Sequence, residues 1–333
     1  MKQFVNLADL TSDELDEIIE TAKELKASEY KQQGVARGKV LALLFFDPSL
    51  RTQSSFQVAA WQLGAQVSVM QSGVNTWHIE HIPMAVMDGM AQEHIKDVMN
   101  VLSGYADAIG IRRFGFGGLN DEPFVDAFFK EAQKYAKVPL INLESSVSHP
   151  CQSLADRLTW EEVHPSVEKR TIVLRWASHP KPLPRAVPQS FVEMGVRSGQ
   201  DVRVVCPPEF RFSPKYDAYF EKTAQEFGGN FAYNTEIPEN AHIIYVKSWH
   251  SLHHPENPHK DLELRNEYLS NWTVNEKHLI DSPQAHLMHC LPVRRNVVAS
   301  DEALDHPRSV IYQQAENRLH AQKALMMHIW GLI

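Results

Sequence analysis

The sequence predicts an α/β protein made of two doubly wound, parallel-sheet domains. Three observations predict it. Short runs that are apolar throughout alternate with amphipathic helical segments along the whole chain, as in sheets covered on both faces. The chain has 333 residues, too many for one typical core. Three polar motifs each follow an apolar run, where an open α/β sheet presents the groups that hold a ligand. They are Ser49-Leu50-Arg51-Thr52, His149-Pro150-Cys151-Gln152 and His289-Cys290-Leu291-Pro292.

Thr11-Ser12-Asp13-Glu14 has the form of a capping box. It opens a helix whose apolar face is Leu15, Ile18, Ile19, Ala22 and Leu25. Lys39 to Phe46 reads as a buried parallel strand, stopped at Asp47-Pro48. Ser49 to Leu63 reads as a helix with Gly64 just past its end, and Val67 to Met70 as a second strand. A helix over 92–105, a strand over 106–111, a helix over 122–135 and a strand over 138–143 continue the alternation, with right-handed crossovers expected. Residues 149–163 should form the helix that leaves the first domain. Strands then follow near 171–176, 202–206, 230–233, 242–246 and 286–289. Ser178 to Pro188 and Ser248 to Leu262 read as loops, the first rich in proline and the second carrying His250, His253, His254 and His259. The domains are expected at 1–150 and 151–314, with the final helix, about 315–333, packing back on the first. No internal repeat or low-complexity tract is visible.

Hydrophobic residues make up 43% of the chain and the formal net charge is −8. That balance argues against a nucleic-acid-binding protein, which would show a basic patch. Any anionic ligand must be held by local cations. The three cysteines, Cys151, Cys206 and Cys290, are odd in number and form no CxxC pair, so a reducing, cytoplasmic setting is expected. The N-terminus lacks the apolar stretch of a signal peptide, and no run approaches a membrane span.

Ser49-Leu50-Arg51-Thr52 sits where a strand turns into a helix. Free N–H groups and a partial positive charge make such a place an anion site. Ser49 and Thr52 add hydroxyls, and Arg51 adds a bidentate cation. The plainer alternative is Ser49 as a simple cap and Arg51 as a solvated cation. No GxxxxGK occurs, and Gly115-Phe116-Gly117-Gly118 is no dinucleotide fingerprint because Asn120 takes the third glycine position. Arg112 follows another apolar run. If these strand ends converge, Arg112, His149, Thr52 and Gln152 can surround one carbonyl and stabilise the negative charge it gains in a tetrahedral transition state. The histidines of the 248–262 loop and the His78/His81 pair lack a completing set of cysteines or carboxylates, so no metal and no cofactor is expected.

The ordered set of motifs resembles the signature of the carbamoyltransferases across essentially the whole chain. The resemblance implies that Ser49, Leu50, Arg51, Thr52 and Arg318 grip the phosphate of carbamoyl phosphate. It implies that Arg112, His149 and Gln152 hold the carbamoyl group, and that Cys290 and the Leu291 carbonyl receive the attacking amine. Arg112, His149 and Cys290 are then the catalytic set. Gln53 stands where arginine is frequent in the family, which weakens the positive field there. The ornithine branch carries an aspartate-containing element for a free α-amine. This chain has Tyr245-Val246-Lys247-Ser248-Trp249-His250 instead, and a cation there suits an α-amine already acylated. The chain therefore resembles the N-acylornithine carbamoyltransferases. That implies Glu144 on the substrate's polar backbone, Lys247 and Arg294 toward its carboxylate or acyl end, and Trp77 reaching a neighbouring subunit's site in a homotrimer. Three residues after Met87-Asp88-Gly89, Gln92 replaces the glutamate of acetyl-type and the proline of succinyl-type enzymes. The expected reaction takes carbamoyl phosphate and N-acetylornithine to N-acetylcitrulline and phosphate, in arginine biosynthesis. N-succinylornithine, free ornithine and a non-catalytic relative using the same phosphate pocket are the alternatives. No nucleic-acid or membrane partner is expected.

Overall fold

Every strand of the two main sheets is parallel, which follows from apolar runs separated by crossover helices. The computed structural model describes residues 3–28, 34–115, 122–254, 256–269 and 271–333. The glycine-rich stretch at 116–118 and Asn120 lie outside the described residues. The chain divides into two compact units. One comprises Met1–Gly115, Phe124–Cys151 and Arg318–Ile333; the other comprises Phe116–Pro123 and Gln152–Asn317.

The first unit opens with α1 (Ser12–Ala27), whose N-cap Thr11 and Glu14 form the expected capping box. There follow β1 (Val40–Phe45), α2 (Leu50–Leu63), β2 (Gln66–Gln71), the two-residue strands β3 (Ile79–Glu80) and β4 (Glu93–His94), α3 (Ile95–Tyr105), β5 (Ala108–Arg112), α4 (Ala127–Tyr135) and β6 (Leu140–Glu144). The sheet order is β2-β1-β5-β6. One apolar core joins Ala42, Leu44, Ile109 and Ile111 of the sheet to Val98 and Met99 of α3 and Phe128 and Phe129 of α4. Gly64 ends α2 at φ 86, in the left-handed region that favours glycine. Two helices begin later than expected, because His94 caps α3 at Lys96 and Asp126 caps α4 at Phe128 and Phe129. Residues 93–94 pair with β3 as strand, so the helix expected from 92 starts at Ile95.

The second unit holds most of α5 (Pro150–Val163), then β7 (Thr171–Trp176), α6 (Ala186–Arg197), β8 (Asp201–Val205), α7 (Pro214–Glu226), β9 (Asn230–Asn234), β10 (Ile243–Lys247), α8 (Pro258–Tyr268), α9 (Glu276–Asp281), β11 (His286–Met288), α10 (Asp301–Leu304) and the start of α11 (Ile311–Ile329). The sheet order is β11-β10-β7-β8-β9. Both segments expected as loops end inside helices. Pro188 falls in the first turn of α6, where its missing N–H costs nothing, and Pro258 is the first residue of α8, capped by Asn257. α11 begins four residues before its expected start, at Ile311. Among the described residues, no helix is long and apolar enough to cross a membrane.

Candidate active site

In each sheet the strand order reverses once, and groups at the carboxyl ends of the flanking strands collect there. In the first unit the reversal lies between β1 and β5. β1 leads to Ser49, whose Oγ accepts from the Thr52 amide at 3.2 Å as the cap of α2. Thr52 is buried, and Arg318 Nη2 lies 3.5 Å from its Oγ1. Leu50 is 80% exposed, so only its backbone is available to a ligand at this turn. Asp47 ties this turn to the exit of β5 by accepting from the Phe114 amide at 2.9 Å.

β5 ends at Arg112 and β6 at Glu144, which an irregularity in register sets opposite each other. Arg112 Nη1 donates to Glu144 Oε2, and His149 Nε2 lies 3.6 Å from the same oxygen. All three are buried. Arg112 Nε is buried with no acceptor among the described residues, leaving one directed donor open. A tight turn aims His149: Ser145 Oγ accepts from the Val147 and Ser148 amides, and Ser145 N donates to the Ser148 carbonyl at 2.8 Å. Cys151 next to it is structural. Its thiol donates to the Asn142 carbonyl, and burial pushes its pKa up to about 12.

Thus Ser49, Thr52 and Arg318 come together at one strand end, and Arg112, Glu144 and His149 at two others. Gln152 is engaged differently from expectation, since its amide donates to Asp156 at 2.8 Å. Trp77 is half exposed and donates to Glu93, while Gln92 is exposed.

In the second unit the reversal lies between β7 and β10. β7 leads to His179, β10 ends at Lys247, and β11 leads to Cys290 and Leu291. Arg294 Nε donates to His179 Nε2 at 3.0 Å, so that nitrogen is an acceptor, and Nδ1 lies 2.8 Å from the Lys181 carbonyl and 3.0 Å from the Lys181 amide. Burial lowers the His179 pKa, and Arg294, Lys247 and Arg265 press it further, keeping the ring neutral. Neither Lys247 nor Arg294 has a carboxylate partner among the described residues. His179 is the member that sequence reasoning missed; the only signal was its place three residues past a strand end.

Leu291 is held at φ 52, a region that non-glycine residues seldom occupy, and its amide donates to His289 Nδ1. Tyr245, wholly buried, has its phenol pushed up by burial, Asp156 and Cys290. The loop after β10 is locked from beneath. Arg265, fully buried, donates to Asp261 at 2.5 Å, to Ser248 Oγ at 3.1 Å and to the Trp249 carbonyl at 2.6 Å. His250 and His254, set aside as metal ligands, are buried in this loop, with ring centroids 5.0 Å apart. Among the described residues no group of three His, Cys, Asp or Glu is placed to hold a metal ion.

The comparisons with known proteins agree across the chain. A family model for the aspartate/ornithine carbamoyltransferase carbamoyl-P binding domain matches residues 2–162. One for the Asp/Orn binding domain matches residues 185–329. N-acetylornithine carbamoyltransferase of Xanthomonas campestris pv. campestris is 36% identical over 337 residues, covering 99% of this chain and 98% of the relative. N-succinylornithine carbamoyltransferase of Bacteroides thetaiotaomicron is 31% identical over 333 residues, with 100% of each chain covered. The crystal structure of acetylornithine transcarbamylase complexed with acetylcitrulline superimposes with a TM-score of 0.89 at 36% identity, covering 99% of both chains.

Proposed function

The chain belongs to the aspartate/ornithine carbamoyltransferase family, and from that premise we propose that it transfers the carbamoyl group of carbamoyl phosphate to the δ-amine of N-acetylornithine. The products are N-acetylcitrulline and phosphate, in arginine biosynthesis. One observation carries the choice of an acylated amine. Lys247 and Arg294 stand beside a neutral His179 and, among the described residues, have no carboxylate partner to receive a free α-ammonium group. Such a cluster repels a cation and attracts the α-carboxylate and acyl oxygen of an acylated substrate.

The first unit takes carbamoyl phosphate. Ser49, the backbone of Leu50 at the start of α2, Arg51, Thr52 and Arg318 receive the phosphate. The open Nε of Arg112, together with His149, is available to the carbonyl oxygen and stabilises the charge it gains. Glu144 fixes Arg112 through their ion pair and takes polar backbone groups of the second substrate. In the second unit Cys290 and the Leu291 carbonyl orient the neutral δ-amine. The new C–N bond forms, the C–O bond to phosphate breaks, and the departing phosphate takes the amine proton. No metal or cofactor enters.

Val74, Ile82, Met84, Val86 and Met90 are largely exposed between β2 and α3, in the segment that carries Trp77 and Gln92. An apolar surface of that extent fits a subunit contact, and we assign the chain to a homotrimer in which Trp77 and Gln92 reach a neighbour's substrate. Light scattering of the purified protein tests this. The cysteines are unpaired, in keeping with the cytoplasm. N-succinylornithine is the second reading, favoured by the neutral side chain of Gln92. The deciding assay is phosphate release from carbamoyl phosphate with ornithine, N-acetylornithine and N-succinylornithine side by side. Turnover with N-acetylornithine alone is expected, and turnover with ornithine alone overturns the role of Lys247.

A further inference from the structure

β7 is buried on both faces, yet its fifth residue is an arginine. Arg175 retains 7% of its surface, and its neighbours on that face, Val173 and Ala177, belong to an apolar core. Its contacts are all to neutral groups. Nη1 donates to the Trp176 carbonyl at 2.7 Å, Nη2 lies 3.4 Å from His278 Nε2, and the guanidinium carbon stands 4.6 Å over the Trp272 ring. No carboxylate pairs with it among the described residues. Burial alone pulls its pKa down to about 10, and the same burial, with Arg175 itself, keeps His278 neutral.

This guanidinium lines a cavity of about 450 Å³. Trp272, His278 and Asn275 share the lining, while Lys277, Glu236 and Asp281 are exposed side chains of its rim. None of the residues assigned above to either substrate lines it. Its lining joins Arg175 of β7 and Val205 at the end of β8 to residues 235–237 after β9 and to residues of the 271–282 connection between β10 and β11. A buried cation without a counter-charge carries an unrelieved desolvation cost. A volume of this size is that of a small-molecule site.

We propose that this cavity is a second ligand site, which binds a small organic acid by setting one carboxylate against Arg175. The planar fork matches a carboxylate, and the ligand supplies the counter-charge that the chain does not. Trp272 offers a flat apolar wall to the rest of the molecule. Glu236 and Asp281 at the rim repel a dianion, which favours a monocarboxylate over a phosphate.

The probe is 4-bromobenzoate. Crystals of the full chain soaked with it should show a bromine anomalous peak inside the cavity with the carboxylate on Arg175; a cavity without bromine overturns the proposal. In titration calorimetry the Arg175→Met protein should bind the probe about tenfold or more weakly than wild type, as loss of a charged hydrogen bond implies. Lys247→Met should bind it as wild type does. Equal affinity in Arg175→Met, or loss in Lys247→Met, places the probe in the substrate cluster and refutes the assignment. Displacement of the probe by equimolar inorganic phosphate refutes the preference for a monocarboxylate. Methionine replaces a buried cation with an apolar chain of similar length, so folding should survive. If it does not, the anomalous map decides alone, whatever substrate the enzyme proves to use.

Discussion

The two units share one design and fill it with different chemistry. Each has a parallel sheet whose order reverses once, with polar groups at the carboxyl ends beside the reversal. In the first unit those groups are hydroxyls and guanidinium groups; of the carboxylates, Glu144 is bound to Arg112 and close to His149, while Asp47 accepts from the Phe114 amide. In the second unit a neutral imidazole takes the carboxylate's place beside the cations, through the Arg294–His179 hydrogen bond. There the ion pair, Arg265 with Asp261, has moved beneath the loop as scaffold. The comparison teaches that the fold supplies positions only. Ligand chemistry follows from whether each cation near the reversal is met by an anion or by a neutral acceptor.

The sharpest way to break this comparison is to remove the scaffold of the second unit. Arg265→Ala leaves Asp261 buried and unpaired and should cost about 3–5 kcal/mol of stability, read as a fall in the denaturant midpoint. An unchanged midpoint would mean that the pair is not what holds residues 248–251. In the first unit, Arg112→Ala should lower turnover about a hundredfold or more, as loss of an oxyanion donor does, with the fold intact by circular dichroism. Near-normal turnover would remove Arg112 from the reacting carbonyl. Lys247→Met should act on binding, raising the KM for N-acetylornithine about tenfold while kcat holds. A fall in kcat with KM unchanged would assign Lys247 to the chemical step instead.

The smallest effect concerns pH. Burial lowers the pKa of His164, His242 and His286 at the amino end of the second sheet, that of His286 to about 4, and that of His250 to about 3. The unfolded chain takes up these protons from about 6.5 downward and the folded chain resists them. Their contribution is therefore fully present above 6.5 and is lost as pH falls toward 4. His164 Nε2 is 3.1 Å from His286 Nδ1, and Arg170 and Arg308 add positive charge nearby. The Tm should fall between pH 7 and pH 5, and His286→Asn should flatten that slope. An equal slope in the variant would move the effect elsewhere.

Much of the fold was legible in the sequence because its strands are continuous apolar runs and its helices carry their own caps. Thr11 with Glu14, Ser49 and Gly64 mark helix ends by chemistry that acts within four residues. The errors came where local signals compete. Glu93 and His94 continue a helical pattern but pair with β3, Pro188 of the proline-rich segment read as a loop stands in the first turn of α6, and the histidine-rich segment read as a loop runs into α8. The places of Ser49, Arg112, His149, Lys247 and Cys290 at or after strand ends were legible for another reason, since each follows an apolar run.

The sequence by itself determined the α/β class, the two parallel sheets and the strand ends that carry polar motifs, because side-chain period, caps and breakers act over a few residues. Only the tertiary structure decided the partners. It paired Arg112 with Glu144 across a separation of 32 residues, set Arg294 on His179 across 115, and left Arg175 on a cavity with no carboxylate paired to it among the described residues. Electrostatic partnership depends on distance in space, and the spacing of residues along the chain carries no record of it.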